Sequence, residues 1–131
     1  MSKPPAGLRE KLGITEAEDW LHLLALHVTD DTPYALEDRW ISLTTVPMAK
    51  QVDFHAHSAN EWLLEHVPYT DAALSIRAAS ADDLAQRHLV VSADAPILQL
   101  ERVTRLGAAL VTAVTLSFPP GHQIVSSAGS A

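Results

Sequence analysis

An internal repeat limits the folds open to this chain. Shifting the 131-residue sequence by 77 positions, without a gap, places Leu12 on Leu89, Ile14 on Val91, Thr15 on Ser92, Trp20 on Ile97 and Leu26 on Val103. Similarity at a fixed offset means one supersecondary unit used twice, and here each unit reads as a helix, a turn and a β-hairpin. In the first unit, Leu8 to Leu12 is a short helical stretch ended by Gly13, a residue suited to the left-handed cap. Trp20 to Val28 is an apolar run of strand length, and Thr29-Asp30-Asp31-Thr32-Pro33 supplies turn chemistry before Tyr34 to Ser42 resumes as a strand. In the second unit, Ser80 is the expected N-cap of a helix from Ala81 to about His88, with Asp82 and Asp83 in its first turn. Pro96 to Thr104 and Leu110 to Phe118 form the second hairpin, joined by Arg105-Leu106-Gly107-Ala108.

A strand over Leu74 to Ala79 precedes the second helix. Its counterpart in the first unit would lie at or before Met1, so the first unit is expected to lack its leading strand. Either the chain is a fragment of something longer, or another protomer supplies that edge. Between the units, Pro47 to Gln51 is a connector and Asp53 to His57 is polar and irregular. Ser58 with Glu61 three residues on makes a capping box for a helix through Trp62, Leu63, Leu64 and His66, which stops before Pro68.

Composition decides what such a fold can be used for. Hydrophobic residues make up 47% of the chain and charged residues 19%, enough apolar surface for one folded core at this length. Nine Lys and Arg against sixteen Asp and Glu give a formal charge of -7, the wrong sign for holding a phosphate backbone. This chain alone is therefore expected to bind no nucleic acid. Without cysteine it has no disulfide, thiolate nucleophile or cysteine zinc site, which fits a cytoplasmic setting. It contains no apolar run of about 18 residues, so no membrane partner is expected. His55 and His57 with Asp53 are metal-compatible residue types, but an isolated HxH without positioned third and fourth ligands predicts no metal site. Nucleophile elbow, P-loop, Rossmann fingerprint and HExxH are all missing, so neither an enzyme nor a cofactor is expected.

Two segments carry a family resemblance. Asp31-Thr32-Pro33-Tyr34-Ala35-Leu36-Glu37-Asp38-Arg39-Trp40-Ile41, followed by Asn60-Glu61-Trp62-Leu63-Leu64-Glu65-His66-Val67-Pro68, resembles the effector-binding UTRA domain of GntR-type transcriptional regulators. It is most similar to the histidine-utilisation repressor branch, and Pro96 to Thr104 agrees with it. The resemblance implies an α+β fold of chorismate-lyase type, a six-stranded antiparallel β-sheet built from two related halves with helices packed on it. The UTRA domain would span residues 8–125, with residues 1–7 and 126–131 as flexible termini. The family's winged helix-turn-helix lies upstream and is absent from this chain, so DNA would be bound only through that missing N-terminal domain.

The resemblance also bears on the site. In sugar-phosphate-binding members arginines stand at the positions of Ala25 and His27, and a glutamate where Glu37 is. Loss of both arginines argues against a phosphate ligand and for a smaller, singly charged one. The repressor branch implies urocanate, an imidazole joined to an acrylate. Arg102, at the repeat position equivalent to Ala25, is the expected carboxylate clamp, with Arg39 second. Glu37 or His27 would hold the ring nitrogens, and Thr104 and Thr112 would add hydroxyl contacts. The competing structural reading pairs Arg102 with Glu101 and Arg39 with Asp38 as plain salt bridges. The expected function is effector sensing and homodimerisation in a repressor of histidine catabolism. The alternatives are a chorismate-lyase-like enzyme and a free-standing dimerisation module without a ligand.

Overall fold

The computed structural model describes residues 3–14 and 18–127; Thr15 of the repeat and the tail from Ala128 lie outside them. The elements run α1 (Ala6–Leu12), β1 (Trp20–Thr29), β2 (Thr32–Ser42), a 3-10 turn (Pro47–Gln51), α2 (Ala59–His66), β3 (Asp71–Ser80), α3 (Asp83–Leu89), β4 (Pro96–Leu106) and β5 (Ala109–Phe118). All strand pairs are antiparallel, in one sheet of order β1-β2-β5-β4-β3. It is an α+β fold with five strands among the described residues, one fewer than the family resemblance implies.

The repeat holds at the level of single hydrogen-bonded pairs. From Leu21↔Ile41 onward, adding 77 to both partners of a β1–β2 pair gives a β4–β5 pair, so that Leu26↔Leu36 becomes Val103↔Ala113. The irregularities repeat too, because the register shift at His27/Val28 recurs at Thr104/Arg105. Helix α1 maps onto α3 from first residue to last, and both end on a left-handed residue, Gly13 at φ 68° and Val90 at φ 57°. Strand β3 has no counterpart among the described residues, which leaves β1 as an unpaired edge.

Several boundaries differ from the sequence reading, each for a local reason. Helix α3 starts at Asp83 with Asp82 as its N-cap, not Ser80. Ser80 still pairs with Pro96, the Ala81 N–H donates to the Ala95 carbonyl, and the Asp82 carboxylate accepts from the Ala85 N–H at 2.8 Å. Strand β3 is longer than Leu74 to Ala79 because its full length pairs with β4, which overrides the low strand preference of its alanines. Strand β2 begins at Thr32 and includes Pro33, tolerated where the register shifts and no ladder donor is needed. The first turn is Asp30-Asp31, both at positive φ, a conformation that Asp accepts more readily than most residues.

Alternation of side chains gives the sheet two different faces. On one, α1 packs Leu12 against Trp20, Trp40, Leu110 and Ala113, while α3 packs Ala85 and Leu89 against Leu36 and Ile97. On the other, α2 lays Leu63 and Val67 over Ile41, Val111, Leu21 and Leu23. Ser58 caps α2 by accepting the Glu61 N–H at 3.3 Å, as the sequence predicts. Helix α2 is part of neither repeat unit, so its face of the sheet is covered on one side of the centre only. Among the described residues no helix is long and apolar enough to cross a membrane.

Val90 occupies a conformation that costs a non-glycine residue about 1–2 kcal/mol, and it is 79% exposed, so little packing offsets that cost. Allowing for the extra unfolded-state entropy of glycine, Val90→Gly should stabilise the chain by about 0.5–1 kcal/mol. Gly13→Val should do the reverse, since a Cβ there meets nothing within 4 Å and only the backbone resists it. Thermal unfolding of the two variants checks the pair: a rise of roughly 2–5 °C is expected for the first and a fall for the second.

Candidate functional site

All six residues singled out in the sequence lie on the sheet face that α2 covers. Cross-strand pairing sets them in rows. One row runs Leu23, Arg39, Val114, Arg102, Leu74, and the rows beside it hold Glu37 on one side and Thr112 with Thr104 on the other. Arg39 and Arg102 are two strands apart, so their backbones stand about 10 Å from each other. His27 lies further along β1, on the same face, opposite Ala35.

The polar contacts divide this set in two. Arg39 is buried, at 2% exposure, and its Nε donates to Glu37 Oε2 at 2.6 Å while Nη1 donates to Thr112 Oγ1 at 3.2 Å. Thr112 Oγ1 passes its own hydrogen to the Trp40 carbonyl, which fixes the direction of the chain of bonds. The other Glu37 oxygen, Oε1, lies 2.9 Å from His27 Nε2. Burial alone would push the Glu37 carboxyl up, but the charge and hydrogen bond of Arg39, with those of His27, outweigh it and hold the group below its ordinary value. Arg102 is half-buried and differently placed: its Nη2 donates to the neutral Asn60 Oδ1 at 2.9 Å, across to α2.

Two openings adjoin this network. A cavity of about 130 Å³ under α2 is lined by Arg39, Asn60, Tyr69, Arg102, Thr104 and Thr112, with Leu63, Val67 and Val111 as apolar wall. A wider cleft of about 500 Å³ lies between β1 and the loop before α2, where His27 and Glu37 face Phe54, His55 and His57. Four expected contact residues therefore share the cavity, and the two expected ring partners line the cleft beside it.

The salt-bridge reading holds for Arg39 in kind but not in partner, since it pairs with Glu37 and not Asp38, and it does not hold for Arg102. Asp38 and Glu101 point to the opposite face, where Asp38 meets His22 at 2.5 Å and Glu101 pairs with Lys11 and Arg77. Trp62 packs edge-on against Phe54 and stacks on His66. Asp53 turns back on its own loop to accept the His55 N–H, and among the described residues no group of three or more metal-binding side chains forms.

Asn60 and Tyr69 line the cavity without having been read as site residues. Asn60 sits beside the Ser58 cap, so its place at the start of a helix was legible. Which strand that helix crosses was not, and no local pattern marks Tyr69, three residues beyond the helix end.

Residues 2–124 match the family described as the UTRA domain. Over 108 residues the chain is 27% identical to the histidine utilization repressor of Pseudomonas aeruginosa, a span that covers 82% of this chain and 43% of that protein. The chain thus matches less than half the length of this relative. Among solved structures, the C-terminal domain of a histidine utilization repressor from Pseudomonas syringae pv. tomato superposes with a TM-score of 0.85 at 24% identity, covering 96% of this chain and 89% of that one. A GntR-family transcriptional regulator from Bacillus cereus gives 0.81 at 13% identity, with 96% and 90% covered. At these identities the structures show a shared fold.

The Glu37–Arg39 pair has a pH signature whose sign is fixed. Because the folded chain holds Glu37 below the ordinary value of 4.5, the unfolded state binds the proton more readily. The pair's contribution is therefore complete above that value and is lost as pH falls through the folded value. Glu37→Gln leaves Arg39 buried beside a neutral amide and should cost roughly 3 kcal/mol at pH 7. Urea unfolding of both proteins from pH 7 down to pH 3 should show that gap narrowing below about pH 4.5. A gap independent of pH would refute the assignment.

Proposed function

The chain belongs to the UTRA domain family, and on that premise we propose that it is the effector-sensing and dimerising domain of a GntR-type repressor controlling histidine utilisation, with urocanate or a close relative as effector. The observation that carries the reading is the Arg102 guanidinium, set at a cavity of about 130 Å³ with a neutral partner. An engineered cavity of about 150 Å³ accepts a ligand the size of benzene, so this one suits a planar acid of similar bulk. The ligand carboxylate meets Arg102, with the Thr104 and Thr112 hydroxyls beside it. The ring extends toward Glu37, whose carboxylate accepts from an imidazole N–H, and His27 completes that end. Arg39 serves less as a clamp than as the fixed counter-charge that keeps Glu37 ionised.

The names of the matched proteins, repressors and regulators, support a regulatory role over a catalytic one. In the whole regulator the effector would act through its different affinity for two arrangements of a cytoplasmic homodimer, which present the DNA-binding modules differently. The charge of -7 fits a domain that leaves DNA contact to another part of the protein.

Thermal unfolding of the chain with urocanate tests the proposal. At 100 times its dissociation constant the ligand should stabilise the fold by about 2.7 kcal/mol. Arg102→Ala should weaken binding by roughly tenfold to a hundredfold, the usual size of a lost charge-assisted hydrogen bond. A folded wild-type protein indifferent to urocanate and to other histidine-degradation acids would sink the effector assignment.

A further inference from the structure

The structure assigns Asn60 as the residue that sets which ligand charge the cavity accepts, an inference that rests on the carboxylate reading of the site. Charges around the ligand space cancel everywhere except at Arg102. Arg39 is matched by Glu37 at 2.6 Å, and both are buried, so together they present no net charge. Thr104, Thr112 and Tyr69 are neutral. His27 faces the cleft and leans on the same Glu37 carboxylate. Among the residues that line the cavity under α2, Arg102 is left as the one cation whose bonded partner is uncharged, and that partner is Asn60.

An amide suits this position because it satisfies an N–H of the guanidinium without cancelling its charge. The field at the cavity then asks for a single negative charge, and a partly buried site makes that demand stronger than it would be in water. An aspartate of nearly the same shape would hold Arg102 equally well while filling the place of the ligand's charge. Selection for a mono-anion over a neutral isostere thus depends on the difference between an amide and a carboxylate on α2. Specificity of this kind arises from what the site would repel as much as from what it binds.

The test uses the whole chain, two probes and three variants. The probes are urocanate and its primary amide, which keeps the ring and the double bond but carries no acid. Calorimetric titration of the wild-type protein should favour the acid by at least about tenfold. In Asn60→Asp that preference should collapse or invert, with urocanate weakened at least about tenfold and the amide changed less than about threefold. Asn60→Ala removes the hydrogen bond but leaves the charge, and should still prefer the acid. Asp near a helix N-terminus is electrostatically favoured, so the first variant is expected to fold; Asn60→Glu carries the same charge and replaces it if it does not. An aspartate or glutamate variant that still prefers the acid overturns the assignment. So does an equal loss of both probes in the aspartate and alanine variants, which would mark a purely structural role. A wild-type protein that binds neither probe instead refutes the effector reading, and this inference falls with it.

Discussion

The ladder between β2 and β5 is the constraint on which everything else depends. It joins the two repeat units, and it does so about a pseudo-twofold axis, because the pair Asp38↔Thr115 joins two residues that are 77 positions apart. On either side of that pair the partners exchange roles: Leu36↔Ser117 on one side answers Trp40↔Ala113 on the other. A hairpin with one short helix buries too little to stand alone. Two of them zipped along β2 and β5 make a sheet wide enough for α1 and α3 to seal one face, each around its own cluster. The other face holds the candidate site.

The polar groups of that face stand where the repeat fails. Arg102 stands where the first unit has Ala25, and Thr104 where it has His27; Glu37 and Arg39 correspond to Val114 and Leu116. The charges on β2 and β4 are thus not copied into the sister unit, and Arg39 and Arg102 line one cavity because a single strand, β5, lies between theirs. Helix α2, inserted between the units and unmatched by either, covers this half of the face and supplies Asn60. Symmetry builds the platform, while the polar network comes from positions at which the two halves have diverged.

This division explains how much could be read from the sequence. Helix α1 with its Gly13 cap, both hairpins and the Ser58 cap of α2 are local patterns, and they stand in the structure close to where the residues place them. The alternation of Glu37 with Arg39 and of Arg102 with Thr104 put these side chains on shared faces before any contact was known. Non-local contacts decided the rest. Strand β3 exceeds its sequence signal because β4 pairs with its whole length, and α3 starts late because Ala81 remains tied to Ala95. The pairing of Arg39 with Glu37 two residues away, in preference to the adjacent Asp38, follows from strand alternation. The Asn60 contact does not, because it depends on how α2 crosses the sheet.

The energetics of the two arginines assign them different tasks. Burying the Glu37–Arg39 pair gains little net stability over an apolar pair, since the desolvation of both ions offsets most of their attraction. Its consequence is geometric: Arg39 donates both to Thr112 and to Glu37, whose other oxygen contacts His27, so the Glu37 carboxylate is held in place by the fold itself and less ordering cost remains for binding. Arg102 has the opposite character. It is half-buried and held by one neutral amide, so its guanidinium can exchange partners at small cost. That amide belongs to α2 while the guanidinium belongs to β4, so an anion arriving there touches the bond that ties the helix to the sheet. A ligand can shift a conformational equilibrium only by as much as its contacts differ between the two states. On the proposed reading, the rigid pair would offer little such difference and the Arg102–Asn60 contact more, so the group proposed to read the ligand's charge also bridges two elements of the fold.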